Sequence, residues 1–211
     1  MDVFCDMVRT DSVSLYMSDN RRMSEARGGA IRVNSYGAKL WRGSVTIPKT
    51  GLGRHRSEVA FLHQIQQADY TFLMHSPEFA FPASDPTGAV VSGWSAKFRG
   101  ATTAQAAQVV IDGIPAGFKF TAGDRLSYSF GLAPVRYFLH EITADSADNE
   151  ADGSRILQVR SFVPAGIPDN TDVNFVRPSC EVLAVPSSVS IPGQGLSTRG
   201  GASFDVVQVV R

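Results

Sequence analysis

Apolar residues recur at every second position through most of this chain. "SVSLYM" (residues 12–17) sets Val13, Leu15 and Met17 on one side. "AIRVNSY" and "KLWRGSVTI" follow, with Gly37 as the turn between them; in the second, Trp41, Gly43, Val45 and Ile47 face one way and Leu40 and Arg42 the other. A period of two predicts half-buried strands. Pro48 and the Gly51–Gly53 loop interrupt the pattern, and the spacing then becomes helical. In "HRSEVAFLHQIQQAD", Val59, Leu62 and Ile65 form a stripe with Phe61 and Ala68, which predicts a helix near residues 56–68 packed on a sheet. Ser57 is placed to cap its start, and Glu58 favours the positive end of the helix dipole. Alternation resumes in "YTFLMHS", with Tyr70, Phe72 and Met74 on one side.

The Pro-, Asp- and Gly-rich stretch "PEFAFPASDPTG" reads as a crossing segment near residues 77–88. Six short strands are expected beyond it, in "AVVSGWSAKF", "AQVVIDGI", "GIPAGFKFTAGDRLSYSFG", "VRYFLHEITA", "RILQVRSFV" and "CEVLAVP". Turn signals between short strands suggest a small barrel or sandwich. Within the third, Gly123-Asp124 reads as a tight turn, with glycine at positive φ and aspartate bonding nearby backbone. "PSSVSIPGQGLSTRGG" reads as loop, and "ASFDVVQVV" as a closing strand that returns to the first sheet. The expected fold is mainly β: a β-sandwich with one flanking helix, formed by residues 1–84 with 187–211, and a small β-barrel or sandwich inserted as residues 85–186.

Composition narrows the function classes. The chain has 211 residues, enough to bury a core without metals or disulfides. Lys plus Arg and Asp plus Glu are 20 each, a balance that argues against nucleic acid or an anionic membrane as the main partner. Charged residues are only 19% of the chain, which leaves surface free to meet partners. Cys5 and Cys180 form no CxxC motif; a disulfide between them and two idle thiols both remain open. The start "MDVFCDMVRTDS" lacks the apolar core of a signal peptide, and no run approaches the length of a membrane span, so a soluble protein made in a cytoplasm is expected.

Candidate chemistry is sparse. His63 has no HExxH partner, His55 stands alone, and His140 beside Glu141 lies in a strand where neighbours face opposite ways. His75 follows a strand end, where a hydrolase could place a group, but no GxSxG accompanies it. "DSADNEADG" gathers Asp145, Asp148, Glu150 and Asp152, yet departs from a calcium-loop spacing and reads as a solvated hairpin tip. No phosphate-cradling glycine motif follows a strand. No cofactor, metal or catalytic residue is therefore expected. Two sets of residues are left as contact candidates. Arg21, Arg22 and Arg27, interleaved with Glu25, suit either a neighbouring subunit's acids or a solvated loop. Trp94, with Tyr128 and Tyr137, suits either core packing or a sugar-stacking platform.

The segment order "SLYMSDNRRMSEARGG", "AKLWRGSVTIPKT", "SEVAFLHQIQQADYTFLM" and "FPASDPTG" resembles the start of phage distal tail proteins. The later "GIPAGFKFTAGDRLSYSF", "RYFLHEITADSADNEADG", "RILQVRSFVPAGIPDNTDVNF", "RPSCEVLA" and "GASFDVVQVV" are similar to phage and prophage tail modules. The resemblance covers most of the chain and lies in spacing and residue type. It implies a first domain related to tail-tube folds and a non-catalytic virion protein at the tail tip, synthesised in the cytoplasm of the bacterial host. It also implies six copies in a ring, with the tail tube protein and the hub or fibre proteins as partners. A β-module binding host carbohydrate is the alternative.

Overall fold

The computed structural model describes residues 4–25, 28–35, 37, 39–49, 52–100, 106–147, 150, 153–191 and 201–210. The architecture is mainly β and antiparallel. A first sheet has the order β1 (Ser12–Met17), β4 (Trp41–Ile47), β13 (Ala202–Gln208), β12 (Cys180–Ala184), β5 (Phe72–Met74). Its inward face is the one the alternation marks: Trp41, Gly43, Val45 and Ile47 of β4 are buried, while Arg42 and Ser44 are exposed. Gly43 is required there, because a Cβ would collide with the carbonyl oxygen of Ser14 on β1. The short helix α1 (Phe4–Met7) and the longer α2 (Leu52–Ile65) close the core, where the Phe4 ring meets Phe61 and Phe72 at 5.3 Å and Phe204 at 5.6 Å.

The second set of strands is β6 (Lys97–Phe98), β7 (Ala106–Asp112), β8 (Arg125–Phe130), β9 (Arg136–Ile142), β10 (Arg155–Val163) and β11 (Val173–Asn174), in the order β11-β8-β9-β10-β7-β6. Its two ends meet. Lys97 bridges Asp172, Phe98 N–H donates to Thr171 O at 2.9 Å, Asn170 N–H to Phe98 O at 3.0 Å, and Val173 N–H to Ala96 O at 2.8 Å. The result is a nearly closed barrel, which removes both edges. Leu126, Tyr128, His140 and Ile142 point into it, together with Phe98, Ile111, Leu157 and Val159.

The opposite face of β8 and β9 meets the first sheet. Leu139 joins the first core, and its carbonyl accepts the Trp41 indole N–H at 2.7 Å. The buried Arg125 guanidinium lies 4.7 Å from the Trp41 ring centroid and 3.9 Å from that of Phe79, and donates to Leu15 O at 3.0 Å. Gly123 has a φ of +102°, and Asp124 accepts from Thr121 N–H and Ala83 N–H, each at 2.8 Å. The Gly-Asp pair thus makes its turn and also ties the crossing segment to the barrel.

Several local expectations are corrected. The helix starts at Leu52, so Ser57 lies inside it and is not its cap; Gly53 costs only about 1 kcal/mol in a helix and does not stop it. The helix ends at Ile65, and Ala68 is exposed. "AVVSGWSAKF" forms a 3₁₀ turn at Val91–Gly93 and the two-residue β6, because Asp85 accepts from Val90 N–H and Val91 N–H at 2.8 and 2.9 Å and holds the chain in a turn. No strand precedes the Gly123 turn in residues 113–122; Phe118 and Phe120 pack from a loop. Cys180–Ala184, read with the barrel strands, pairs instead with β5 and β13 in the first sheet. No helix among the described residues is long and apolar enough to cross a membrane.

Trp41→Phe keeps one aromatic ring but removes the indole N–H donor to Leu139 O and leaves a small cavity in the core. The expected cost is about 1–3 kcal/mol, read from the urea midpoint at an unchanged slope.

Candidate interaction site

The arginine-rich segment, read as either a subunit contact or a solvated loop, forms β2 (Arg21–Glu25), which pairs with β3 (Ile31–Ser35) in a two-stranded sheet. This hairpin prolongs the β1–β4 pair. Met17 opposes Trp41, Ser18 N–H then donates to Leu40 O at 2.8 Å, and Leu40 N–H donates to Ser18 Oγ at 3.2 Å. The ladder resumes from Arg21↔Ser35 to Glu25↔Ile31. Asp19 shapes the corner: it accepts from Arg21 N–H at 3.1 Å, and from the guanidinium at 2.8 Å (Nε) and 2.7 Å (Nη2). Those bonds to Arg21 lower the Asp19 carboxyl to about 2. β13 accompanies β4 only as far as Arg42, so among the described residues no third strand pairs with the arm.

Cross-strand partners share a face. Met23 opposes Val33 and Glu25 opposes Ile31 on one side, which also carries Arg21 and Ser35; Arg22, Asn34, Ser24 and Arg32 take the other. Met23, at 69%, Ile31, at 61%, and Val33, at 51% exposed, make a short apolar row on that side, flanked by Arg21 and Glu25. Tyr16, next to the base of the arm on the outer strand β1, is 57% exposed. An isolated two-stranded hairpin is marginal in water, and one cross-strand apolar pair adds only about 0.2–1 kcal/mol. The arm draws support from the β1–β4 pair it prolongs, and its exposed row is a candidate contact surface.

Of the contact candidates, the structure brings Arg21 and Arg22 onto one strand of this arm, on opposite faces. Arg27 lies outside the described residues. Trp94 is elsewhere, half-buried against the barrel, edge-on to Phe118 at 4.5 Å and near Phe120 and Phe175 at 6.1 and 6.0 Å. Tyr128 is buried and Tyr137 is half-buried on the opposite side of the sheet, so the three rings make no shared platform. The apolar row of the arm was missed in the sequence because the arginines and the short run "RRMSE" masked its alternation. Met23, Val33 and Ile31 become a row only once the strands are paired.

His75 and His140 are buried and far apart in role: His75 follows β5, while His140 bonds Tyr128 inside the barrel at 2.8 Å. His63 is exposed on α2, and the His55 side chain lies outside the described residues. Among the described residues, no group of three His, Cys, Asp or Glu gathers as a metal site. Asp145 accepts from Ala122 N–H at 2.9 Å, which makes it a turn residue; Asp148 and Asp152 lie outside the described residues. Both cysteines are free thiols, with Cys5 donating to His75 O at 3.3 Å. No protein-family model and no curated protein matches the chain.

Burial pushes the Cys180 thiol up to about 12. At pH 8 its thiolate is scarcer by roughly a thousandfold than that of an ordinary cysteine. Iodoacetamide followed by peptide mass analysis is expected to leave Cys180 unmodified in the native protein and to alkylate it in denaturant.

Proposed function

We propose that this chain is a structural ring-forming protein of a phage-like tail tip, joining a tail tube to hub or fibre proteins through contacts between copies of itself. The observation that carries the reading is the arm: a paired strand extension whose apolar row is uncovered within one chain. A ring of identical subunits supplies a cover to every arm by one repeated heterologous contact, and closure leaves no arm unpaired. The low charge content and the open outer strand β1 suit the same use. The resemblance to distal tail proteins supplies the six-fold number, the tail-tube relationship of the first sheet and the virion setting. In this reading the work of the protein is mechanical, and its partners are its own copies and the tail components above and below.

The test is assembly. The purified protein is expected to form six-fold rings in negatively stained images, alone or with a tube protein, and to behave as an oligomer by light scattering. Met23→Lys with Val33→Glu, which sets opposite charges across the strands in place of the apolar pair, is expected to weaken assembly by tenfold or more. Because both positions are exposed, these changes should leave monomer stability within about 0.5 kcal/mol. A stable monomer at high concentration, even with tube protein present, would refute the proposal.

A further inference from the structure

His140 occupies a position that neither the arm nor the seam between the sheets uses. It is 1% exposed, inside the barrel, with its ring stacked on Tyr128 at 5.3 Å and 8°. Nε2 lies 2.8 Å from the Tyr128 hydroxyl. Nδ1 faces Arg160 O at 3.3 Å, Ser161 O at 3.2 Å and Ser161 Oγ at 3.0 Å. Carbonyl oxygens only accept, so Nδ1 carries the proton, and Nε2 accepts from the tyrosine.

Those carbonyls belong to a break in the sheet. β10 pairs with β9 at only two positions, Val159↔Ile142 and Arg160↔Glu141. Its register against β7 shifts between Gln158 and Val163, and Ser161 within that bulge has a φ of +58°. Where the β9–β10 ladder stops, the imidazole takes over, reaching from β9 to the backbone of β10.

We infer that His140 is a side-chain stitch across the β9–β10 seam and that acid releases it, opening the barrel locally at the Ser161 bulge. Protonating Nε2 removes the acceptor from the Tyr128 hydroxyl and puts a cation among Leu126, Tyr128 and Ile142. The charged groups nearby do not offset it. Arg125 of β8, Glu141 of β9 and Arg160 of β10 lie on the outer face, where Glu141 and Arg160 pair at 3.8 Å. β12, with Cys180 and Glu181, packs on that same outer side through Leu139. Tyr128 is the titratable group that faces the ring, and burial raises its own pKa. Arg155, buried at the start of β10, is held by Phe118 O and Ser146 Oγ and adds positive charge to the interior.

Burial lowers the His140 pKa to about 4, against about 6.5 once the seam is open and the ring is hydrated. A folded-state pKa below the open-state value means that protection is complete above about 6.5 and is lost as pH falls towards 4. The open population then rises about tenfold per pH unit in that window.

Hydrogen exchange resolved by peptide, corrected for the intrinsic pH effect, tests this between pH 7 and 5. Wild type is expected to show the tenfold-per-unit rise in opening across residues 136–142 and 155–163, with a smaller change in residues 202–208. His140→Gln, which cannot be charged, is expected to be flat. Tyr128→Phe, which keeps the histidine, is expected to open more at pH 7 and to retain a pH dependence. A flat wild-type profile, an equal slope in His140→Gln, or equal slopes in both sheets would overturn the inference.

Discussion

A strand with an unpaired edge exposes a row of backbone donors and acceptors, and that constraint organises this molecule. The barrel meets it by closing on itself through the Ala96–Phe98 and Asn170–Val173 backbones. The first sheet meets it partly: β13 is threaded between β4 and β12, and one edge is the three-residue β5, too short to expose a long ladder. The other side ends in β1, and the arm beyond β1 and β4 has open edges together with an uncovered apolar row. Among the described residues, the β1 side combines an unpaired edge with an exposed apolar row, and that combination motivates the proposed self-association.

The junction of the two units is built around two buried polar side chains, Trp41 and Arg125. The Trp41 indole serves the first core with its ring and the barrel with its N–H. Arg125 lies between two aromatic faces, where cation–π attraction and the packing of its apolar stem accompany one hydrogen bond, from Nη2 to Leu15 O, while its buried Nε and Nη1 face the rings without an oxygen partner among the described residues. Inside the barrel His140 differs: its two nitrogens both find partners while the ring stays neutral. Buried polar groups of this kind bind elements together only while fully partnered, which makes them sites of sensitivity as well as of order.

Much of the fold was legible in the chain because alternation is a direct record of burial. The inward face of β4 was readable residue by residue, and so were the Gly123-Asp124 turn and the strands β7 to β10. Failures had physical causes. Cys180–Ala184 was assigned to the wrong sheet because partner choice depends on long-range pairing, which local pattern does not encode. The helix start was misplaced because a glycine was read as a stop. The strand character of "RRMSE" was hidden because the arm has no core of its own to bury. The stitch at His140 was out of reach, since it depends on a bulge that brings Ser161 beside a ring 21 residues away in sequence.

The central claim is that the arm formed by β2 and β3 is covered by another copy of the chain. Backbone hydrogen exchange of residues 21–25 and 31–35, followed as protein concentration is raised, tests it most directly. The account predicts weak protection in dilute solution that rises with concentration, in step with the appearance of oligomer. Exchange that is independent of concentration, with oligomers present, would contradict it.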